Sequence, residues 1–473
     1  MSLVAGVDSS TQSTKVEIRE ADSGRLVGSG SAPHPVTNPP RSEQDPEAWW
    51  HAFQAAFAAA LPVGSSVDAI SVAGQQHGMV ALDAAGKVVR PAKLWNDTES
   101  APDAGWLLKQ LPGGAADWAS ACGSVPVASF TITKLSWLHR SEPEHWARLA
   151  TVMLPHDWMT YQLTGKVVTD RGDASGTGYW SAATGEYCWD LLAVVDRERD
   201  WTSAVPRVLG PLESAGTWEG AIVGPGTGDN MAAALGLGAQ AGDAVMSFGT
   251  SGAVFATTAG PTADPTGFVA GFADATGRHL PLVCTLNAMK VTDAVARLLG
   301  VDADGLDALA LAAPMGAGGL TVLPYFDGER TPNRPTATGR VTGLRSDVTR
   351  QQLARAAVEG VVCGLLDALD ALRTQTGSME RVVMVGGGAQ SPAFRQILAD
   401  LCDLPVVVAD ASEAVATGAC VQAAAVLEQC EPAEIIARWN VGTVTPVERS
   451  VDADEERAAA VRHAYASLRE QSA

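Results

Sequence analysis

No C-x-x-C pair occurs in this sequence, and its seven cysteines are scattered and odd in number. That pattern gives neither a disulfide framework nor a zinc-ligand spacing, so the cysteines read as reduced core residues. Basic charge is also scarce: 33 Lys and Arg stand against 53 Asp and Glu, a net charge of −20. Such a balance repels nucleic-acid phosphates and anionic lipid and argues against both as partners. Long apolar runs are missing, so no membrane span is expected, and no basic, leader-like segment precedes the first strand-like run in MSLVAGVDSS. The expected location is the cytoplasm. An anionic ligand remains open, because backbone amides at glycine loops can meet phosphate without lysine. At 473 residues and 46% hydrophobic, the chain has apolar mass for two globular domains.

The opening VAGVD, SSTQST, KVEIRE reads as strand, polar turn, strand, and GRLVGSGS as a third strand. DPEAWWHAFQAAFAAAL follows with helical spacing, Asp45 as N-cap and Pro46 at the first helical position. DAISVAG reads as a buried strand. A strand-rich opening followed by alternating helices and strands predicts mixed sheets with helices on their faces. The design then restarts: after GPGTGDNMAAALGLG, the stretch DAVMSFGTSGAVFATT is again strand, small polar turn, strand. RVVMVGGGAQSPAFRQILADLC reads as strand, glycine loop and helix, with Ser391 as N-cap, and LPVVVAD as a further strand. An amphipathic helix closes the chain.

Several stretches could carry chemistry. The hairpin turns at 8–15 and 249–252 are hydroxyl-rich and could wrap donors around phosphate oxygens, although Ser, Thr and Gly also simply make turns. Their duplication favours phosphate. Neither is a Walker loop, and GPGTG lacks the spacing of a dinucleotide fingerprint, which discounts NAD. GGGA at 386–389 could lie against a nucleotide or merely turn the chain from strand to helix. GQQHGMV offers amide and imidazole at a strand end, and LWND at 94–97 combines an indole, an amide and a carboxylate, which suits a polyhydroxylated ligand. Asp229, at the start of an Ala-rich helix, is on this reading either a cap or a catalyst.

Taken in order over nearly the whole chain, GVDSSTQSTK, GQQHGMV, LWND, TDRGDASGT, GPGTGDN, SFGTSG, LPYFDGERTP and VMVGGGAQS resemble the FGGY family of carbohydrate kinases. Eight ordered motifs are far more specific than any single glycine loop. The resemblance implies an α/β protein of two ribonuclease-H-like domains of the actin and hexokinase type, each a mixed sheet flanked by helices, with a cleft between them. The expected domains are 1–231, on the substrate side with the first phosphate hairpin, and 232–473, on the nucleotide side with the second hairpin, the adenosine loop and the C-terminal helix.

Within the family the pattern is nearest to members acting on D-xylulose. It implies ATP-dependent formation of D-xylulose 5-phosphate, with ATP and Mg2+ required and a small-molecule sugar as partner. A homodimer is the assembly to test. The family's catalytic base falls on Asp229, and its aspartate near the metal and γ-phosphate on Asp8; these two would hold Mg2+, directly or through water. Substrate contacts fall on Gln76 and His77, with Asn96, Asp97 and Asn230 beside them. Nucleotide or phosphate contacts fall on Ser10, Thr11, Gln12 and Lys15 of the first hairpin, Thr250 and Ser251 of the second, and Gly387 and Gly388 against the adenosine. Two departures stand out: many relatives read Gly-Thr where this chain has Ser10-Thr11, and some carry Met where it has Gln76. Another ketose, a polyol or gluconate is the alternative acceptor, and an actin-like nucleotide switch is the alternative from a different class.

Overall fold

The computed structural model describes residues 2–410, 413–451 and 453–472, and these form two compact units. The first comprises 1–239, 258–281 and 413–442, the second 240–257, 282–412 and 443–473. The chain thus passes from the first unit to the second at 239/240, eight residues beyond the expected division at 231/232, and then returns twice.

In the first unit the expected hairpin forms: Leu3–Ser9 pairs antiparallel with Ser13–Glu20, which pairs antiparallel with Leu26–Pro33. On its other side Leu3–Ser9 runs parallel to Ala69–Gly74. Ala221–Val223 and Gly216–Trp218 continue the sheet beyond Ala69–Gly74, and the short strand Thr227–Gly228 adds to the end of Ala69–Gly74, aligned with Ala73 and Gly74. This register decides where function can sit. Asp8 lies opposite Ala73, Thr227 opposite Ala73, and Gly228 opposite Gly74, so three strand ends and the residues that follow them converge. Ends of adjacent strands are where open α/β sheets place ligand loops.

Helix Pro46–Ala60 begins where predicted, its Asp45 side chain accepting from Glu47 N–H at 3.1 Å with Pro46 behind it. It buries Trp49, Phe53 and Ala56 in a core shared with Val7, Val16, Ile18, Ile70, Val72 and Trp158. On the other face, helices Asp229–Gly236 and Ala414–Glu428 cross with almost no gap. A Cβ on Gly418 would lie 1.8 Å from the Ala232 carbonyl oxygen, and one on Gly236 1.8 Å from that of Ala414. Only glycine permits this approach at both positions.

The second unit repeats the design. Asp243–Phe248 pairs antiparallel with Gly252–Ala256 and parallel with Arg381–Val385, and the sheet runs on through Val406–Ala409 to Val444–Val447. After Arg381–Val385 the chain turns through Gly386, at φ +85°, into helix Pro392–Leu401, capped by Ser391, whose hydroxyl accepts from Phe394 N–H at 3.1 Å. The closing helix, Glu455–Glu470, is tied by Arg462 to Asp370 at 2.5 Å, on the long helix Arg350–Thr376.

Candidate active site

The converging strand ends bring Asp8, Gln76, Asp229 and Asn230 together. Asp229 opens its helix from Gly228, and its Oδ1 accepts from the backbone N–H of Asn230 at 2.8 Å and from Asn230 Nδ2 at 2.9 Å. The same Nδ2 donates to Gln76 Oε1 at 2.9 Å. A chain of amides therefore ties the carboxylate after one strand to the loop after the next. Gly228 is required there, since a Cβ would lie 2.7 Å from Gln76 Cγ.

Burial pushes the Asp229 carboxyl up to about 7, and the neighbouring negative charges of Asp8 and Asp173 add to the rise against the Asn230 hydrogen bonds. Burial likewise lifts Asp8 to about 6, opposed by the Ser10 hydroxyl and by the charge of Lys15. Two coupled carboxyls poised near neutrality can take up or release a proton at working pH.

Around them lie buried polar atoms with no protein partner among the described residues: Gln75 Nε2, Gln76 Nε2 and Asn96 Oδ1. Uncompensated groups of this kind are costly, and a hydroxylated ligand would satisfy them. His77 sits at φ +66°, in the left-handed region that residues other than glycine visit uncommonly. Its Nδ1 is 2.7 Å from the Gly176 carbonyl oxygen, which can only accept, so Nδ1 carries the proton. The ring is flanked by Phe130 and Phe272, with centroids at 4.9 and 5.4 Å.

In the 94–97 stretch, Trp95 Nε1 donates to the Thr11 hydroxyl at 2.9 Å. The Asp97 carboxylate is fully engaged within the protein: it accepts from Ser42 N–H at 2.9 Å, Glu99 N–H at 3.1 Å and the Lys93 ammonium at 3.0 Å. Glu43, Asp97 and Glu99 form an acidic cluster of the kind that can hold a metal, but the buried Lys93 ammonium already sits within it, 3.1 Å from Glu43 and 2.6 Å from Glu99. Asp97 thereby anchors the loop that carries Asn96.

The remaining first-hairpin residues divide. Ser10 donates to Asp8, and Thr11 to Gln75 Oε1 at 3.3 Å. Lys15 pairs with Glu413 at 2.7 Å, and Gln12 is exposed. In the second unit Thr250 and Ser251 sit in a tight turn, with Gly249 N–H donating to Ser251 O at 3.0 Å and Met289 N–H to Gly249 O at 2.9 Å. A Cβ on Gly388 would strike Phe248 Cβ at 2.5 Å, so that glycine is needed for packing, whereas one on Gly387 would meet only Phe248 O, at 4.0 Å.

Sequence reasoning assigned no role to the buried cluster of His156, Asp157, Asp170 and Asp173 behind these loops. Asp170 caps the turn Arg171–Ser175, accepting from Gly172 and Asp173 N–H at 2.8 Å, and also accepts from the Thr227 hydroxyl at 2.7 Å. The D-x-x-D spacing within TDRGDASGT was the available signal; its partner His156, in LPHDW, is distant in sequence.

Coupled carboxyls and unsatisfied amides at the end of a hairpin-led sheet, with that sheet design repeated in a second unit, are the equipment of a nucleotide-dependent phosphotransferase acting on a hydroxylated acceptor. The comparisons agree: residues 3–236 match the N-terminal domain, and residues 244–427 the C-terminal domain, of the FGGY family of carbohydrate kinases, to which this chain belongs. It is 46% identical to the xylulose kinase of Streptomyces rubiginosus over 96% of this chain and 94% of that one. Identity and coverage are the same, 46%, 96% and 94%, for the xylulose kinase of Streptomyces coelicolor. Among solved structures, the xylulose kinase from Bifidobacterium adolescentis superimposes with a TM-score of 0.86 at 41% identity, covering 99% of both chains.

Proposed function

We propose that this chain transfers the γ-phosphoryl group of ATP to the terminal hydroxyl of D-xylulose, giving D-xylulose 5-phosphate and ADP. The observation that carries the choice of sugar is the 46% identity to a xylulose kinase over nearly the full length of both chains. The geometry of the first unit supports the chemistry.

Asp229 is the general base. It accepts the proton of the sugar hydroxyl as the oxygen–phosphorus bond forms and the bond from the γ-phosphorus to the bridging oxygen breaks, leaving ADP. A carboxyl near 7 is matched to this task, being basic enough to take the proton yet substantially ionised at neutral pH. Phosphoryl transfer passes through a loose transition state, so positioning contributes more than proton removal. Gln76, His77, Asn96 and Asn230 supply that positioning. The amide atoms of Gln76 and Asn96 that have no protein partner would meet sugar oxygens, and Asn230, bonded to Gln76 Oε1, would couple the sugar loop to the base.

Asp8 and Asp229 offer carboxylate oxygens, the hard donors that suit Mg2+, and would hold it directly or through water. When bound, the ion neutralises charge on the phosphoryl group. For the nucleotide, Ser10 and Thr11 of the first unit offer hydroxyls suited to phosphate oxygens; in the second unit, taken by itself, Thr250 and Ser251 offer hydroxyls and turn amides of the same kind, and the bare backbone at Gly387 suits the adenosine.

The test is 31P NMR of the protein with Mg-ATP and D-xylulose. A new phosphomonoester coupled to the C5 protons, formed in step with ADP, is expected. ADP without that ester, or an ester at another carbon, would overturn the reading.

A further inference from the structure

His156 is fully buried and faces three carboxylates. Its Nδ1 is 2.8 Å from Asp173 Oδ2, and its Nε2 is 3.2 Å from Asp157 Oδ1 and 3.7 Å from Asp170 Oδ1. Burial alone would keep the ring neutral, yet these carboxylates outweigh it and carry its pKa to about 9. The ring fills space that only glycines leave open: a Cβ on Gly226 would lie 2.5 Å from His156 Cδ2, and one on Gly74 2.9 Å from His156 Cβ. A buried ion cluster is poor evidence of stabilisation by itself, because desolvation offsets much of its Coulombic gain. Its connections are more informative. Asp173 lies in the turn that meets His77, the residue held at φ +66° in the sugar-contacting turn: the Asp173 backbone carbonyl accepts from Gly176 N–H at 3.0 Å, and the Gly176 carbonyl accepts from His77 Nδ1 at 2.7 Å. Asp170 accepts from the Thr227 hydroxyl at 2.7 Å, two residues before Asp229 on the strand that delivers it.

We propose that His156, Asp170 and Asp173 are positioning residues with two separate outputs: Asp173 fixes the turn that receives the sugar, and Asp170, through Thr227, fixes the strand that presents Asp229, with the His156 imidazole holding both carboxylates in register. The inference rests on the reading of Asp229 as base and of Gln76 and His77 as sugar contacts.

Two outputs predict a split that general loss of stability would not produce. Asp173→Asn weakens the charge-assisted bond to His156 that holds this turn against His77, and the KM for sugar rises about tenfold while the KM for ATP is unchanged. Thr227→Val removes the hydroxyl without changing side-chain volume much, and kcat falls about tenfold with the sugar KM within about twofold. Thr227→Ser restores the hydroxyl and with it kcat. The proposal is overturned if Asp173→Asn leaves the sugar KM unchanged or alters both substrates' KM alike, or if Thr227→Val and Thr227→Ser behave identically. Should Asp173→Asn not accumulate as folded protein, Asp173→Glu, which keeps the charge but displaces it, is read in its place, and an unchanged sugar KM in that variant overturns the Asp173 half while the Thr227 pair decides the other. The wild type is assayed beside the variants with D-xylulose and with the acceptor it turns over best. A wild type silent on D-xylulose refutes the functional reading, while the variant split, measured on the better acceptor, still decides this one.

Discussion

Replacing Asp229 by Asn should make the protein more stable while removing its chemistry, and the gain should grow with pH. The folded state holds the Asp229 carboxyl at about 7 against an ordinary 3.8, chiefly through burial and then through Asp8 and Asp173. Because the folded pKa is the higher one, the folded state retains a proton that the unfolded chain releases. Stability therefore falls as pH rises from about 4 to about 7 and stays low above that. At 1.36 kcal/mol per pH unit the full penalty is about 4 kcal/mol, and sharing it with Asp8 leaves about 2–4 kcal/mol specific to this carboxyl. Asn keeps the Oδ1 that accepts from Asn230 and carries no charge to desolvate. At about 2 °C per kcal/mol for a large domain, the variant should melt about 4–8 °C above wild type at pH 8.5. Between pH 5.5 and 8.5 the gap should widen by about 2 kcal/mol. Scanning calorimetry of both proteins without nucleotide or metal measures it. A gap that ignores pH, or a variant less stable than wild type at pH 8.5, would refute the electrostatic argument.

Lys93→Met removes the cation that compensates Glu43, Asp97 and Glu99, and should cost about 3–5 kcal/mol, read as a fall in denaturation midpoint. Gly418→Val places side-chain carbon against the Ala232 carbonyl oxygen, where a Cβ alone would sit at 1.8 Å, so this variant should be recovered mainly as insoluble protein. Gln76→Met deletes the acceptor that holds Asn230 Nδ2, and initial-rate kinetics should show a sugar KM raised by about three- to tenfold with the ATP KM unchanged.

Much of the framework around the candidate site was legible in the sequence because local chemistry writes it. The two hairpins, the Asp45-Pro46 and Ser391-Pro392 helix starts and the loop leading to Asp229 each follow from turn and cap residues within a few positions. What could not be read depends on distance. LWND suggests a ligand contact at Asp97, and nothing local announces that Lys93, four residues earlier, turns inward and donates to both of its carboxylate oxygens. The cluster around His156 joins segments near 77, 156, 170 and 227, which meet only once the sheet is assembled. The return of 413–442 to the first unit rests on backbone contact between glycines 236 and 418 and the opposing helices, a match that no window of sequence contains.

The most direct test of the whole account is acceptor-dependent ADP formation. Initial rates are measured with Mg-ATP and D-xylulose, beside D-ribulose, L-xylulose, D-fructose, gluconate, glycerol and xylitol, for wild type and Asp229→Asn, with D-xylulose binding to the variant followed by calorimetry. The account predicts that D-xylulose gives the highest kcat/KM, and that Asp229→Asn loses at least about 100-fold of it while still binding the sugar. Preference for another acceptor would contradict the choice of substrate, and a variant as active as wild type would remove Asp229 from the chemistry.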